Sequence, residues 1–364
     1  TYKILPDDLR YSKVIRMFPE VINVSAAEKV YISGRDVNRE EVPQQVEVIG
    51  VSEIKFKNPQ TTAHLLESSG QVLIQRSQMG GGSPILRGFE ANKVLLVVDG
   101  VRLNNAIYRS GHLQNAITVD SHVLRQTEVV FGPSSVVYGS DALGGVIHFR
   151  TKVPKLGETP GEQHVSGHVM SRLSSSNQEK THHVDVEVGA YKFGSLTSIT
   201  TSDFGNLRMG TQRDHGDADW GLVNYYAGFE EGIDVNLKNP DPTVQRGTAY
   251  SQLDFLQKFL FQPNDDLNLT ANFQYSTSSA VPRFDRLNDL QDGKVRWAEW
   301  HYGPQKRLLF SLRAELSDST SLYDDVRITA AAQRIEEDRI QRRFGQSTRS
   351  TQMEDVWVYS INSD

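Results

Sequence analysis

Residues 83–101 read SPILRGFEANKVLLVVDGV. Within this stretch, the run Val94–Val98 is short, apolar and rich in β-branched residues, and the turn dipeptide Asp99-Gly100 closes it. Such a run is typical of a buried strand in a packed domain. A bend at Arg87-Gly88 comes before it. The stretch therefore predicts a folded unit built around a buried strand.

Glycines punctuate a second informative stretch, residues 128–152, which reads EVVFGPSSVVYGSDALGGVIHFRTK. They separate short elements at points where the backbone needs a tight turn or a positive φ. These glycines are Gly132, Gly139, Gly144 and Gly145. Upstream, Val46–Val51 is strand-like, and Thr61–Ser68 suits a helix with Thr61 or Thr62 as its N-cap. We therefore predict a compact α/β unit over residues 43–152.

The composition excludes several classes of protein. There are 39 Lys and Arg residues against 45 Asp and Glu, so the chain is mildly acidic and we predict no nucleic-acid binding. Because the chain has no cysteine, disulfides, thiolate metal sites and cysteine nucleophiles are excluded. No apolar stretch approaches the length of a transmembrane helix. No acid, base or nucleophile constellation stands out, so we do not predict an enzyme.

After Lys152 the sequence changes to a two-residue period. Apolar and polar residues alternate over Leu267–Tyr275, and again over Val184–Val188, Leu308–Leu316 and Val326–Ala332. Segments of about ten residues that alternate in this way, with aromatic residues near their ends, are the signature of a transmembrane β-barrel. Strands are predicted at about 162–174, 181–191, 195–203, 247–261, 267–276, 305–317, 322–335 and 353–363.

The connections between these strands alternate in length. Gln262–Asp266 and Asp318–Ser321 are tight polar turns, whereas Ser276–Pro304 and Glu336–Gln352 are long. Outer-membrane barrels have short periplasmic turns and long outer loops. We therefore predict an outer-membrane barrel in which the region 204–246 is one long outer loop.

The two quoted stretches resemble the plug domain of TonB-dependent outer-membrane receptors. The shared features are an LRG motif before a VLVLxDGV-type strand, and a closing GPxSxxYGxxAxGGVIxxxTK pattern. Residues 281–316, 333–344 and 354–362 are similar to receptors of Bacteroidetes-type bacteria, including haem receptors. The resemblance implies a membrane all-β fold: an antiparallel transmembrane β-barrel of the 22-stranded type with an N-terminal α/β plug domain.

The length of the chain bears on how much of such a barrel is present. A barrel of about eight strands is filled by its own side chains and has no room for a plug. A 22-stranded barrel, at about ten residues per strand plus loops, needs more residues than follow Lys152. We therefore expect an N-terminal arm over 1–42, a plug over 43–152, and over 153–364 the N-terminal part of the barrel, about the first eight strands.

The resemblance also implies a function. The chain is expected to belong to an importer in the outer membrane of a Gram-negative bacterium, with the plug inside the barrel and the arm in the periplasm. TonB, with ExbB and ExbD, supplies the energy that rearranges the plug, and outer-membrane lipids surround the barrel. The expected cargo is a scarce metal chelate, either haem or a ferric siderophore, and no resident cofactor or metal is predicted.

A glycan-uptake receptor with a lipoprotein partner is the alternative function. Aromatic side chains in a predicted outer loop, Trp297, Trp300 and Tyr302, are the candidate sugar platforms that favour it. Growth of a deletion strain on haem, a siderophore or a glycan as its only iron or carbon source distinguishes the two functions.

A β-prone patch in the arm is the candidate TonB box. It comprises Lys29, Val30, Tyr31, Ile32 and Ser33. In the receptor family this position holds the segment that pairs with TonB as an added strand, a mode of binding that depends mainly on main-chain hydrogen bonds. An ordinary linker or a strand of a small preceding domain is the alternative.

Three candidate ligand-binding residues lie in the plug, in the segment where the family's apical loops meet the ligand. They are Tyr108, Arg109 and His112. Arginine offers a planar donor fork for a carboxylate, and histidine can ligate iron. Hydrogen bonds that fix the plug to the barrel wall are the alternative role for these side chains.

Three further candidates lie in predicted outer loops, namely His215, Trp300 and His301. The segment Asp214–Asp219 has oxygen ligands at alternate positions but lacks the later glutamate of a calcium loop.

The motif residues of the plug are predicted to shape its backbone and to form buried ion pairs with the barrel, rather than to contact ligand. They are Arg87, Gly88, Asp99, Gly100, Gly132, Gly139, Gly144 and Gly145.

Overall fold

The computed structural model describes residues 2–3, 18–19, 29–32, 35–38, 43–107, 116–134, 138–212, 216–317 and 325–363. From residue 43 onward these residues form a five-stranded sheet with helices, here called the plug, and a ten-stranded sheet, here called the wall. The arm contributes four short strands paired as two hairpins: β1 (Tyr2–Lys3), β2 (Phe18–Pro19), β3 (Lys29–Ile32) and β4 (Arg35–Asn38).

The plug is a mixed sheet. Its elements are β5 (Val46–Gly50), helix α1 (Val51–Lys57), helix α2 (Thr62–Glu67), β6 (Leu73–Gln75), β7 (Ser83–Ile85), β8 (Val94–Val98), β9 (Val101–Arg102), β10 (Leu124–Phe131) and β11 (Gly145–Thr151). The sheet order is β5-β10-β11-β8-β9, with β11 and β8 parallel and the other pairs antiparallel. Strand β6 pairs with β7 beside this sheet.

The predicted buried strand Val94–Val98 is confirmed, since every residue in it is buried. The predicted helix is also confirmed: the side chain of Thr61 accepts a hydrogen bond from the backbone N–H of His64, as an N-cap does. The apolar face of α2 contributes Leu65 and Leu66 to the same core as alternate residues of β8. The intervening residues Leu95 and Val97 lie in a second apolar cluster on the opposite face, so packing on both faces of the sheet explains why β8 is apolar throughout. Among the described residues, no helix is long and apolar enough to span a membrane.

The wall contains all eight of the long strands predicted from the alternation. In chain order the elements after the plug are β12 (Gln163–Ser174), β13 (Glu179–Ala190), β14 (Phe193–Phe204), β15 (Leu207–Arg208), β16 (Tyr225–Glu230), β17 (Ile233–Lys238), β18 (Val244–Gln245), β19 (Tyr250–Asn264), β20 (Leu267–Ser278), β21 (Val281–Pro282), helix α3 (Phe284–Leu287), β22 (Leu290–Gln291), β23 (Lys294–Val295), β24 (Trp297–Ser317), β25 (Asp325–Arg343), β26 (Arg349–Gln352) and β27 (Asp355–Ser363). Of these, β15 to β18, β22 and β23 pair outside the wall. The long strands pair as antiparallel neighbours from β12 to β27, with the hairpins β15/β18 and β16/β17 inserted between β14 and β19.

The two faces of the wall differ as the alternation predicts. On β13, Val184, Val186 and Val188 are 44, 44 and 46 % exposed, whereas the intervening His183 and Asp185 are buried. Successive residues of a strand point to opposite faces, so the valines form an outer apolar surface and the polar residues face inward. The buried inner face contacts the plug.

Two of the predicted long loops are wrong in part, because strands extend into them. Strand β24 begins at Trp297 and β25 continues to Arg343, so Ser276–Pro304 and Glu336–Gln352 are shorter as loops than the sequence predicts. Cross-strand ion pairs hold these extensions, since Glu299 Oε1 lies 3.0 Å from Arg342 Nε. The region 204–246 is likewise not one loop, because it contains the two inserted hairpins.

Short connections lie at one end of the wall, here called the turn end, and include 191–192 and 265–266. Most of the longer connections lie at the opposite end, here called the loop end, and include 205–249 and 279–296. The connection 175–178, also at the loop end, is a short one.

Candidate functional site

The plug motif residues shape two tight turns. Asp99 and Gly100 have φ values of 47° and 80° between paired strands β8 and β9, and Arg87 and Gly88 have values of 49° and 86°. Positive φ at both central residues is the geometry of a type I′ hairpin turn, for which Asp-Gly is a preferred sequence. The turn at residues 99 and 100 presents the Asp99 carboxylate to the wall.

The glycine pair at the start of β11 permits close backbone contact. A Cβ on Gly145 would lie 2.4 Å from the carbonyl oxygen of Val130, and one on Gly144 would lie 2.2 Å from the Cβ of Phe89. Gly145 also has a φ of 151°, which L-residues rarely adopt. The pair therefore allows β11 to lie between β10 and β8. Gly132 and Gly139 have positive φ values of 94° and 90°.

Asp99 is the centre of a polar cluster that joins plug and wall, here called the Asp99 latch (Asp99, Thr151, Lys258 and Arg313). Lys258 Nζ of β19 lies 3.1 Å from Asp99 Oδ2 and 2.5 Å from Thr151 Oγ1. Thr151 of the plug donates its backbone N–H to Asp99 Oδ1 at 2.9 Å and its hydroxyl to Oδ2 at 2.6 Å. Arg313 of β24 donates to the main-chain carbonyl of Asp99. Only 3 % of the Lys258 side chain is exposed, so the ion pair is buried.

The latch keeps Asp99 ionised. Burial by itself raises the pKa of the carboxyl group, but the positive charges of Lys258 and Arg313 and the hydrogen bonds from Thr151 outweigh burial. The pKa of Asp99 therefore lies well below its usual range. A buried carboxylate and ammonium in contact compensate each other, whereas either alone would be strongly unfavourable.

Elsewhere several side chains of the wall donate hydrogen bonds to main-chain carbonyls of the plug. Gln333 Nε2 donates to the carbonyl of Arg102 at 2.9 Å, and Arg307 Nη2 donates to that of Thr118 at 3.0 Å. Two more such contacts are Gln252 Nε2 to Ile117 O at 2.8 Å and Asn362 Nδ2 to Gly100 O at 3.3 Å. The wall strands β19, β24, β25 and β27 therefore all bind the plug.

A second charged contact lies between β12 and the loop after α1. Arg172 Nη1 donates to the carbonyl of Pro59 at 2.9 Å and to Asn58 Oδ1 at 3.0 Å. Its Nε donates to Glu179 Oε1 at 2.7 Å, and Gln60 Nε2 donates to the other oxygen of Glu179 at 2.5 Å. This arrangement fixes the first two strands of the wall to the plug.

Four of the predicted ligand-binding residues, Tyr108, Arg109, His112 and His215, lie outside the described residues, as does Ser33 of the candidate TonB box. The described residues that flank the plug segment contact the wall. Ile107 packs on Ile335 of β25, and Ile117 lies in an apolar cluster with Tyr250.

The structure places the other two ligand candidates, Trp300 and His301, on strand β24 instead of in an outer loop. The guanidinium carbon of Arg283 lies 4.5 Å from the centroid of Trp300, and its Nη1 donates to the Tyr302 hydroxyl at 3.0 Å. Trp300 is therefore covered by a protein cation and is 7 % exposed. As its strand neighbour, His301 points to the opposite face.

A cavity of about 720 Å³ lies among the loop-end hairpins, and sequence reasoning did not find it. Its apolar lining includes Phe229 and Ile233, which are 66 and 65 % exposed. Arg342 lines it as well and forms a two-pronged contact with Asp234, at 2.7 and 2.8 Å. Hydrogen bonds from Arg342 lower the pKa of Asp234. The signal in the sequence was weak, because hairpin β16/β17 and Arg342 are far apart along the chain.

Comparison with known proteins agrees with this architecture. Residues 38–146 match the family model described as TonB-dependent Receptor Plug Domain. A hemin receptor of Yersinia pestis is 28 % identical over 259 residues, which cover 69 % of this chain and 32 % of that protein. The vitamin B12 transporter BtuB of Vibrio vulnificus strain CMCP6 is 27 % identical over 250 residues, which cover 68 % of this chain and 32 % of that protein. The chain thus spans about a third of the length of these relatives.

Solved structures share the fold. The ferric enterobactin receptor PfeA of Pseudomonas aeruginosa superposes with a TM-score of 0.61 at 14 % identity, over 89 % of this chain and 46 % of that one. A plug that matches the family model, and that is bound to the inner face of an antiparallel wall with an apolar outer face, is the architecture of these receptors. Residues 38–146 therefore form a TonB-dependent receptor plug domain, and the comparisons support a TonB-dependent receptor.

Proposed function

We propose that the chain is part of an outer-membrane receptor that imports a scarce metal chelate, haem or a ferric siderophore, by energy-coupled rearrangement of the plug. In this function the outer apolar face of the wall meets lipid, the turn end faces the periplasm and the loop end faces outward. No bond of the cargo is made or broken, so the protein is a transporter and not an enzyme.

The observation that carries this proposal is the Asp99 latch. A plug held to the wall by a buried ion pair and by hydrogen bonds to its main chain blocks free diffusion along the inner face. Passage of a solute then requires that some of these contacts break, and the buried charges make this costly. An external energy source, TonB with ExbB and ExbD, suits that requirement.

The arm offers a binding segment for TonB. Lys29–Ile32 of the candidate TonB box forms β3 and pairs with β4, so in this two-stranded hairpin each strand has one edge open to a further strand. Strand addition at such an edge gives affinity through main-chain hydrogen bonds. The edge of β3 is therefore the proposed contact with TonB.

The loop-end cavity supports a chelate as cargo. Exposed Phe229 and Ile233 offer apolar surface that suits a large, partly apolar ligand, whereas the charge of Arg342 is already balanced by Asp234 and Glu299. Two of the three candidate platforms of the alternative glycan function, Trp300 and Tyr302, are only 7 and 6 % exposed and so offer little aromatic surface to a sugar, whereas Trp297 is half-buried.

Growth of a deletion strain tests the proposal. Complementation by the full-length receptor is expected to restore growth on haem or a ferric siderophore as the only iron source, and to leave growth on glycans unchanged. Replacing Val30 by Pro removes a main-chain donor of β3 and is expected to abolish uptake without loss of ligand binding to whole cells. Growth defects on a glycan alone would overturn the metal-chelate assignment, and full uptake by the Val30→Pro variant would place the TonB contact elsewhere.

A further inference from the structure

Two histidines and a carboxylate form a cluster on the inner face of the first two wall strands, away from the Asp99 latch and the loop-end cavity. His168 lies on β12, and His183 and Asp185 lie on β13. His168 and Asp185 are partners in the strand register, and His183 is two positions from Asp185 on the same face. One ligand atom from each of the three residues lies within 4.8 Å of the others.

Two of the three ligand atoms already have nearly the spacing that a metal ion requires. His183 Nε2 lies 3.0 Å from Asp185 Oδ2. A tetrahedral ion with bonds of about 2.0–2.1 Å places neighbouring ligand atoms roughly 3.3–3.4 Å apart. His168 is exposed, and its ring has no hydrogen-bond partner in the part of the chain that the structure describes. To complete the set, the exposed His168 side chain would have to turn toward the other two ligand atoms.

A hydrogen-bonded chain orients His183 for metal binding. Its Nδ1 lies 2.7 Å from Thr200 Oγ1, and the Thr200 hydroxyl donates to Asp120 Oδ2 of the plug at 2.6 Å. Because a hydroxyl has one proton, Thr200 can accept from the Nδ1–H of His183 while it donates to Asp120. Nε2 now shares a proton with the Asp185 carboxylate, 3.0 Å away, and a metal ion would take the place of that proton while Nδ1 keeps its outer hydrogen-bond partner.

The third ligand, Asp185, already binds a cation. Lys152 Nζ lies 2.6 Å from Asp185 Oδ2, the same oxygen that His183 contacts. The other oxygen, Oδ1, accepts no hydrogen bond from the described residues, so Oδ2 is the oxygen that a metal ion and Lys152 would share. The Lys152 ammonium lowers the affinity of the site for a second cation by direct charge repulsion.

We propose that His168, His183 and Asp185 bind one divalent transition-metal ion, of the class of Zn²⁺, Co²⁺ or Ni²⁺. Two imidazoles and one carboxylate are ligands that such ions accept, and three protein ligands leave a further position for water. The site is distinct from the chelate that the proposed function transports. Asp120 in its outer hydrogen-bond chain links metal binding on the wall to the seating of the plug.

Cobalt absorption tests the site directly in the purified full-length receptor. Co²⁺ is expected to give one equivalent of a tetrahedral visible band, which Zn²⁺ removes. The His168→Ala variant is expected to weaken Co²⁺ binding by at least the roughly tenfold that loss of an outer partner causes. Its matched control is His182→Ala, since His182 neighbours the site on the opposite face and contacts Ser171.

A Lys152→Met variant provides a readout that a merely structural cluster does not predict. Removal of the competing ammonium is expected to tighten Co²⁺ binding several-fold while the band keeps its shape. The absence of a band in the unaltered receptor would overturn the proposal. Equal losses in His168→Ala and His182→Ala, or unchanged affinity in Lys152→Met, would overturn it as well.

Discussion

Lys258 Nζ, on the inner face of the wall, lies 3.1 Å from Asp99 Oδ2 in the plug, and the two residues are 159 positions apart in the sequence. This pair joins the two units of the chain at a site that is almost closed to solvent. A buried pair of this kind is costly to break at one partner, because the other charge remains buried and uncompensated.

Replacing Asp99 by Asn tests the latch. The change keeps the shape of the side chain but leaves the buried Lys258 without its counter-charge, so we expect a loss of about 3–5 kcal/mol in the free energy of unfolding. Denaturant titration of the purified receptor measures it. The control is Asp141→Asn, which removes a solvent-exposed pair with Arg102 and is expected to cost no more than about 1 kcal/mol. Equal losses in the two variants would contradict a buried latch.

The latch also predicts how stability depends on pH. The pKa of Asp99 is lowered in the folded protein, so its stabilising effect is present above the ordinary aspartate pKa of about 4 and is lost as pH falls towards the lower folded value. Measured against a variant that lacks both charges, Asp99→Asn with Lys258→Met, the stability of the unaltered receptor is thus expected to keep a constant difference from about pH 8 to 5, and the difference is expected to shrink below about pH 4. A difference that changes between pH 8 and 5 would show that another group controls the latch.

Gly145→Ala is expected to destabilise the plug. The new Cβ would meet the Val130 carbonyl at 2.4 Å, and the φ of 151° is strained for alanine. Backbone strain of this kind costs on the order of 1–3 kcal/mol, and the close contact adds to it. The rate at which a protease cleaves the plug measures the effect, and this rate is expected to rise. The matched control is Gly50→Ala, where φ is −84° and no atom lies within 4 Å of the new Cβ. The plug of this variant is expected to resist proteolysis as the unaltered plug does.

The two faces of β12 are expected to respond oppositely to a lysine. Val169 is 76 % exposed on the outer face, and a lysine at mid-depth in contact with lipid costs about 2–4 kcal/mol. Val169→Lys should therefore reduce the heat-resistant, folded receptor in outer-membrane fractions. Ser166→Lys places the same charge on the inner face opposite Glu187 and is expected to be tolerated. Normal assembly of the Val169→Lys variant would rule out lipid contact at this face.

The alternating pattern made the wall predictable, because each strand has one lipid-type face and one polar face. Val184, Val186 and Val188 are exposed on the outer face as expected. Helix α1 was not predicted, since the apolar residues of VSEIKFK have mixed spacing: Val51 and Ile54 are three apart, as in a helix, but Ile54 and Phe56 are two apart, as in a strand. Packing decides the element, because Ile54 enters the plug core while Phe56 stays exposed.

Only the plug side of the Asp99 latch could be predicted from the sequence. The Asp99-Gly100 turn was evident as a motif, whereas its partners are polar residues on two wall strands, and Arg313 is 214 positions away. Many inward positions of the wall carry similar side chains, so nothing in the sequence distinguishes Lys258 or Arg313 from them. The loop-end extensions were missed for a related reason: charged residues such as Glu299 and Arg342 suggest a loop until their cross-strand pairing is known.

The wall binds much of the plug through backbone carbonyl oxygens, and every amino acid carries this oxygen. Substitutions at Arg102, Ile117 or Thr118 therefore leave the acceptors of these hydrogen bonds unchanged as long as the backbone path is kept. Evolution can thus alter the ligand-facing chemistry of such a plug without redesigning the cylinder around it. For the same reason, a plug grafted from a related receptor has to follow the same backbone path as this one, whereas its side chains can differ.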